Sequence, residues 1–399
     1  MVKMIGIESW ILIGFVLFIV LLAIKDRKNI EFKYGVLIRR TKKGKEWIYR
    51  IARKHEKLFK VYGLIGIGIS ISASLFGIYM LLQNAYTSII QPQKAVPSVG
   101  LVLPQIPGIE YPFPYILGVP ISYWIIAILT ILFFHETSHA LVARAEGIRL
   151  KSFGVLLLLI FPGAFVEPDE KQLKESGILK RIKVYAAGSF GNFLVAALVF
   201  LISFGLFKLT LLFLEPVGID YEVIPGTPAS EANLSGTILS VNGNRTRNIF
   251  EFIAAMERVR PGEVVEIETS SKVYRIKTTT HPERPEWAYL GIRFKKNEID
   301  FREEFKFLGK PSSLLISSLE WFFGSPLFSP FNPGLFSWII MLNFLVGVFN
   351  VLPIKPLDGG FIYEAILEKF SKKNAKNLAN LLTLFTISII LITIIIPLA

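Results

Sequence analysis

Apolar residues gather along the chain into six runs, near 5–24, 61–83, 118–143, 184–209, 335–352 and 378–398. Each is long enough for a bilayer-spanning helix, which needs about 20 residues. Between the fourth and fifth runs the pattern changes. Residues 213–300 alternate short apolar and polar stretches, punctuated by Pro225-Gly226, Asn242-Gly243 and Pro261-Gly262. That period predicts a small strand-rich domain. Ser312 to Phe323 is apolar on one face but too short to span, which predicts an interfacial helix or one packed on the core. The pattern as a whole predicts a polytopic α-helical membrane protein of about six transmembrane helices with one strand-rich insert.

Composition supports this. Of 399 residues, 52% are hydrophobic and 33 are Phe. Cysteine is absent, which excludes disulfides and thiolate-ligated zinc, so a metal would have to be held by His, Asp or Glu. The net charge is +13, but it is concentrated. Residues 25–60 carry 14 Lys/Arg against 4 Asp/Glu. A basic block beside an apolar run marks the cytoplasmic side of a membrane protein, and it carries no nucleic-acid-binding motif. The 144–183 loop has 8 basic and 5 acidic residues and the 364–376 loop has 4 and 2. A six-span path places all three loops in the cytoplasm. The nearly uncharged 84–117 loop, the 213–300 insert (11 basic, 13 acidic) and both termini then fall outside.

Candidate chemistry sits where the third run ends. After the 17-residue apolar stretch Gly118 to Phe134 comes His135-Glu-Thr-Ser-His139. On a helix, residues four apart share a face about 6 Å apart along the axis, so both imidazoles can reach one tetrahedral zinc. Glu136 is offset by one residue, beside the metal position, where it can take a proton from the attacking water and pass it to the leaving amine. A pair of core histidines is the competing explanation. Two His and a Glu inside a span are costly, however, and are expected there for function.

A third ligand has to come from elsewhere. Glu146 lies about 10 Å further along the same helix, out of reach. Val142 and Ala145 occupy the positions where HExxHxxGxxH proteases carry Gly and their third His. Asp358, in Asn350-Val-Leu-Pro-Ile-Lys-Pro-Leu-Asp358-Gly-Gly360, sits at a comparable depth on another span, broken there by two prolines. It would serve equally as the N-cap of the helix that follows. Lys355 would reach the cytoplasmic interface.

These residues resemble the site-2 protease family of intramembrane zinc metalloproteases. His135 to His139 matches its HExxH. Asn350-x-x-Pro353-x-x-x-x-Asp358-Gly359 matches its NxxPxxxxDG, whose Asp is the third zinc ligand. Ala187-Gly188-Ser189-Phe190-Gly191-Asn192 is similar to its AGPxxN block, with Ser189 in place of Pro. Phe161 to Glu167 resembles the family's re-entrant β region. Within the insert, Val223–Ala229, Ala232–Gly236, Ile238–Gly243 and Arg260–Gly262 are similar to PDZ domains of bacterial proteases, and Leu290-Gly291-Ile292 resembles their carboxylate-binding loop.

The resemblance implies one Zn2+ per chain on His135, His139 and Asp358, with Glu136 as the base. It also implies an extracytoplasmic α/β PDZ-like domain that takes peptide C-termini, and membrane-protein substrates with a transmembrane helix. The predicted parts are a two-span region at 1–83, a first catalytic half at 118–210, the PDZ-like domain at 213–300, an interfacial linker at 301–334 and a second catalytic half at 335–399. Nine helical residues from His135 to Arg144 span about 14 Å, which sets the site in the membrane toward the cytoplasm. The apolar run Val155 to Phe165 would clamp an unwound substrate by β-augmentation. Asn350 is expected to contact substrate or support the site, and Asn192 to contact substrate or pin helices together. A divalent-metal transporter and a catalytically silent PDZ-bearing adaptor are the alternatives. The first needs no Glu beside its His, and the second would lack a ligand or the base.

Overall fold

A computed structural model of the chain describes residues 7–398, apart from 34, 43, 95–96, 98, 107, 110, 112–115, 159–160 and 325–332. Parts of the predicted 84–117 loop, the Val155 to Phe165 run and the 301–334 linker lie outside the described residues. The chain forms two compact units, Met1–Val199 with Trp338–Ala399, and Phe200–Ser337.

The first unit begins with α1 (Ile7–Lys25), β1 (Ile30–Lys33), β2 (Val36–Thr41), α2 (Lys45–Lys54) and α3 (Glu56–Ile90). A parallel pair, β3 (Leu101–Gln105) and β4 (Ile116–Pro120), leads into α4 (Ile121–Ala145). Then come β5 (Leu150–Leu158), β6 (Phe161–Pro168), the short α5 (Glu170–Glu175) and α6 (Ile178–Phe213). Helix α3 packs against α4 and against the helix Ala375–Ile395. Its buried face includes Gly63, Gly66, Ser70, Ser74 and Gly77, small residues that let apolar helices approach closely. A Cβ on Gly66 would meet the Phe190 ring at 3.3 Å, and one on Gly77 would meet Val348 and Leu352 at 3.0 Å. Glu8 of α1 caps the start of α4, its carboxylate accepting from Ser122 N at 3.0 Å and Ser122 Oγ at 2.7 Å.

The predicted re-entrant region is a sheet in the order β1-β2-β5-β6. Its first two strands come from the basic 25–60 block, which charge alone had marked as a loop. β2 pairs antiparallel with β5, Val36 opposite Leu158 through Thr41 opposite Phe153.

The second unit contains β7 (Leu214–Val223), α7 (Pro228–Glu231), β8 (Ile238–Val241), β9 (Asn244–Arg245), α8 (Ile249–Met256), β10 (Val264–Thr269) and β11 (Val273–Lys277). β12 (Thr279–Thr280), β13 (Ala288–Tyr289), β14 (Ile292–Phe301) and α9 (Ser313–Phe323) complete it. The main sheet runs β11-β10-β8-β7-β14, with β9 on β8. Inward positions alternate as the sequence period requires, and Ile219, Ile238, Val241, Val265 and Ile267 are fully buried with Phe252 of α8 against them.

The chain returns to the first unit through α10 (Leu335–Asn350), then α11 (Asp358–Glu368) and α12 (Ala375–Ile395). Among the described residues five helices are long and apolar enough to cross a membrane, namely α1, α3, α4, α6 and α12. The predicted 335–352 span is the exception. α10 stops at 16 residues, because the chain turns at Val351 ahead of Pro353 and Pro356.

Candidate metal centre

The His-Glu-Thr-Ser-His segment lies in the second half of α4. The His135 and His139 Nε2 atoms are 3.1 Å apart. Asp358, the first residue of α11, turns Oδ2 toward both, at 3.4 Å from His135 Nε2 and 3.3 Å from His139 Nε2. Leu357 and not Asp358 is the N-cap of α11, so Asp358 stands one residue inside the helix, in the ligand position beside the two histidines. Gly359 lets it get there, since a Cβ at that position would lie 2.1 Å from Leu352 O and 2.2 Å from Val351 O. The 351–357 turn is fixed from the other side by Lys355 N, which donates to Thr383 Oγ1 of α12 at 3.1 Å.

The tautomers follow from the outer partners. His139 Nδ1 lies 2.7 Å from Val184 O. A carbonyl only accepts, so Nδ1 carries the proton and Nε2 presents a lone pair. His135 Nδ1 lies 3.2 Å from the Asn192 amide nitrogen, while Asn192 Oδ1 is buried without a partner. Turning the amide over, which keeps its shape and exchanges O with N, gives Oδ1 a donor and frees His135 Nε2 in the same way.

Three acceptors therefore converge on one point, and Asp358 Oδ2 is buried there without a hydrogen-bond donor. Lone pairs packed at 3.1–3.4 Å repel unless a cation sits among them. Ligand atoms about 2.0–2.1 Å from a tetrahedral zinc stand roughly 3.3 Å from one another, so the spacing fits that ion. The space is kept open by Gly188 of α6, where a Cβ would lie 2.3 Å from His139 Nε2 and 2.7 Å from His135 Nε2. Gly191, one turn on, lets α6 approach Ser138 and the Phe134 carbonyl. Those two glycines explain the Ala187–Asn192 block, and α6 passes through Ser189 as unbroken helix.

Glu136 points to the sheet side. Its Oε2 accepts from Val166 N of β6 at 2.7 Å, which fixes the carboxylate next to the histidines. The profile of Peptidase family M50 matches residues 123–393, from the start of α4 to the end of α12 and across both halves of this centre. The chain belongs to peptidase family M50, the site-2 protease family. It is thus a metallopeptidase and an integral membrane protein. Among relatives, an uncharacterized protein of Methanocaldococcus jannaschii is 27% identical over 379 residues, covering 91% of this chain and 86% of the relative. The membrane-bound transcription factor site-2 protease homolog of Arabidopsis thaliana is 27% identical over 165 residues, 38% of this chain and 28% of that protein.

Within this M50 peptidase the sequence motifs divide clearly. His135, Glu136, His139, Asn192 and Asp358 come together. Glu146 is instead paired with Lys183 at 2.8 Å, and Lys355 is paired with Glu364. Asn350 is the half-buried last residue of α10, and none of the centre's hydrogen bonds reaches it. Leu290, Gly291 and Ile292 belong to the other unit. Gly291 has φ +83°, and its carbonyl accepts from Ile224 N at 2.9 Å. Ile292 opens β14, an edge strand with α8 alongside: Asn297 Oδ1 accepts from Ile249 N at 3.2 Å, and Phe252 meets Phe294 at 5.5 Å. Sequence reading missed Val166, Val184 and Gly188. The first two act through backbone atoms, which leave no mark on sequence. Gly188 was visible as a small residue in a quoted block, without a stated reason.

Proposed function

We propose that this protein is an intramembrane zinc endopeptidase that hydrolyses peptide bonds within or next to transmembrane segments of membrane proteins, in regulated intramembrane proteolysis. The convergence of His135, His139 and Asp358 beside Glu136, on an apolar helix of spanning length, carries the reading. His135, His139 and Asp358 would hold one zinc, which supplies Lewis-acid activation of water and of the scissile carbonyl. Glu136 takes the proton of the attacking water and returns it to the leaving amine. Val166 N–H holds one carboxylate oxygen and thereby aims the other. Asn192 and the Val184 carbonyl hold the two imidazoles in the tautomers required.

A substrate helix has to unwind before its carbonyls are exposed, and β6 is placed to receive it. β6 is the edge of its sheet, and Val166 N points away from β5, toward Glu136. By the two-residue period of an antiparallel ladder, Ala164 turns its N–H and C=O the same way. An extended substrate segment would add there as a further strand. Ala164→Pro removes that outward donor and no bond to β5. It should lower kcat/KM by roughly 2–10-fold, the worth of one hydrogen bond, in a protein whose thermal unfolding is preserved. An unchanged kcat/KM would remove β6 as the docking edge.

In the second unit, Leu290-Gly291-Ile292 ahead of edge strand β14 supports a PDZ-like role in which a peptide C-terminus is captured and its strand pairs along β14. The charge distribution of the loops supports a centre toward the cytoplasm, with the insert and both termini on the other side, α10 and the 351–357 turn together making the sixth crossing. Exposed Leu314 and Leu315 on α9 suit a helix lying in the bilayer interface. The test of the whole is incubation of purified protein in detergent with a panel of single-span helices, with and without a zinc chelator. Chelator-sensitive cuts inside a span are expected. Cleavage indifferent to the chelator, or none by zinc-loaded protein, would overturn the reading.

A further inference from the structure

Between α2, the Glu136 side of α4 and the β5–β6 hairpin, the first unit has an open-sided cavity of ≈ 270 Å³, several times the ~30 Å³ share of a water molecule. Its walls include Trp47, Phe133, Phe153, Gly154, Ala164 and Phe165, and its polar side chains are those of Glu136 and Thr137. A pocket this apolar gains little from water and much from an apolar side chain. It opens on two features that handle substrate in the reading above, the Glu136 carboxylate and the outward backbone of Ala164.

The size of the cavity is set by one cross-strand pair. Gly154 of β5 lies opposite Phe165 of β6. A Cβ on Gly154 would sit 1.9 Å from Phe165 Cζ and 2.1 Å from Cε1, so the ring lies flat across the glycine. The Arg40 guanidinium stands 5.8 Å from the centre of the same ring. Any side chain at 154 has to lift the ring off the strand, and Phe165 already borders the cavity that would receive it.

We propose that this cavity is the subsite for one large apolar side chain, from a substrate residue flanking the scissile bond, and that Gly154 with Phe165 determines how large that side chain can be. The inference rests on the peptidase reading. It adds a substrate class, spans with Leu or Phe beside the cut in preference to Ala or Gly.

The experiment uses full-length zinc-loaded protein and single-span substrates whose cut site is mapped by mass spectrometry. Each flanking residue is then varied among Ala, Leu, Phe and Trp. On one side of the bond, wild type should favour Phe or Leu over Ala by about tenfold or more, the range that filling an apolar pocket supplies. Gly154→Ala should lose far more kcat/KM on Phe than on Ala, collapsing that ratio by about tenfold. Phe165→Ala should move the other way and raise Trp relative to Phe. A ratio compares two substrates on one enzyme, so a poorly folded variant lowers both rates together and leaves the other variant to decide. Indifference of wild type to size on both sides of the bond, or ratios unchanged in both variants, overturns the subsite while leaving the peptidase reading intact. Absence of any cleavage by wild type overturns both.

Discussion

Replacing Glu136 by glutamine should leave one zinc bound per chain and lower kcat by roughly 10²–10⁴-fold, the usual contribution of a positioned general base. The carboxamide is nearly isosteric with the carboxylate, and its oxygen can still accept from Val166 N, now bonded at 2.7 Å. The side chain therefore keeps its place against β6, and the three metal-binding side chains are untouched. What is lost is a group able to take a proton. Elemental analysis of the purified variant, beside single-turnover cleavage of a single-span substrate, separates the two effects. Turnover near the wild-type rate at full zinc content would take Glu136 out of the proton-transfer step. Loss of zinc would show that the residue holds the site together rather than acting in it.

How much of this centre could be seen in the sequence depended on which atoms carry it. His135, Glu136 and His139 are tied by the helical repeat, so their spacing alone states their geometry. Asp358 was legible because carboxylates are rare in apolar runs, and because two prolines and two glycines broke the run around it. Other members of the site act through atoms that every residue possesses. The Val184 carbonyl sets the His139 tautomer, and Val166 N–H holds Glu136. Neither position differs in composition from its neighbours. Gly188 works by having no side chain, a role that becomes visible only when the histidine nitrogens are found 2.3 and 2.7 Å from its missing Cβ.

The fold shows the same division. Long apolar runs gave the positions of α1, α3, α4, α6 and α12, since span length is a property of the local sequence. The run at 335–352 was cut short by a turn the run itself does not announce, and it became the 16-residue α10. β1 and β2 were hidden because charge dominated the 25–60 block. Arg39 pairs with Asp26, and Arg40 with Glu31 at 2.7 Å, so part of what read as a loop's surplus charge flanks a strand. Its two partners, the neighbouring β1 and β5 more than a hundred residues away, make Val36–Thr41 a strand rather than a basic tail.

Replacing Asp358 by alanine should strip the zinc from the purified protein and abolish cleavage with it. Two imidazoles would remain, 3.1 Å apart, with no anion to balance the ion and no third ligand to complete a catalytic set. Loss of an outer-shell partner costs about 10–100-fold in metal affinity, and removal of a direct ligand should exceed that. The variant is therefore expected to lose zinc to a chelator at concentrations the wild type withstands. Folding should survive, because the N-cap of α11 is Leu357 and not Asp358, and α11 is held by Gly359 and Gly360 against the 351–357 turn and by Ile362 and Ala365 against Ile182 and Ala186. Asn192→Leu supplies the graded comparison. It removes only the partner of His135 Nδ1, so its zinc loss should fall between wild type and Asp358→Ala. If Asp358→Ala kept one zinc per chain through the same chelator titration, the third ligand would have to lie elsewhere, and the convergence of the three side chains would be an ion-pair network rather than a metal site.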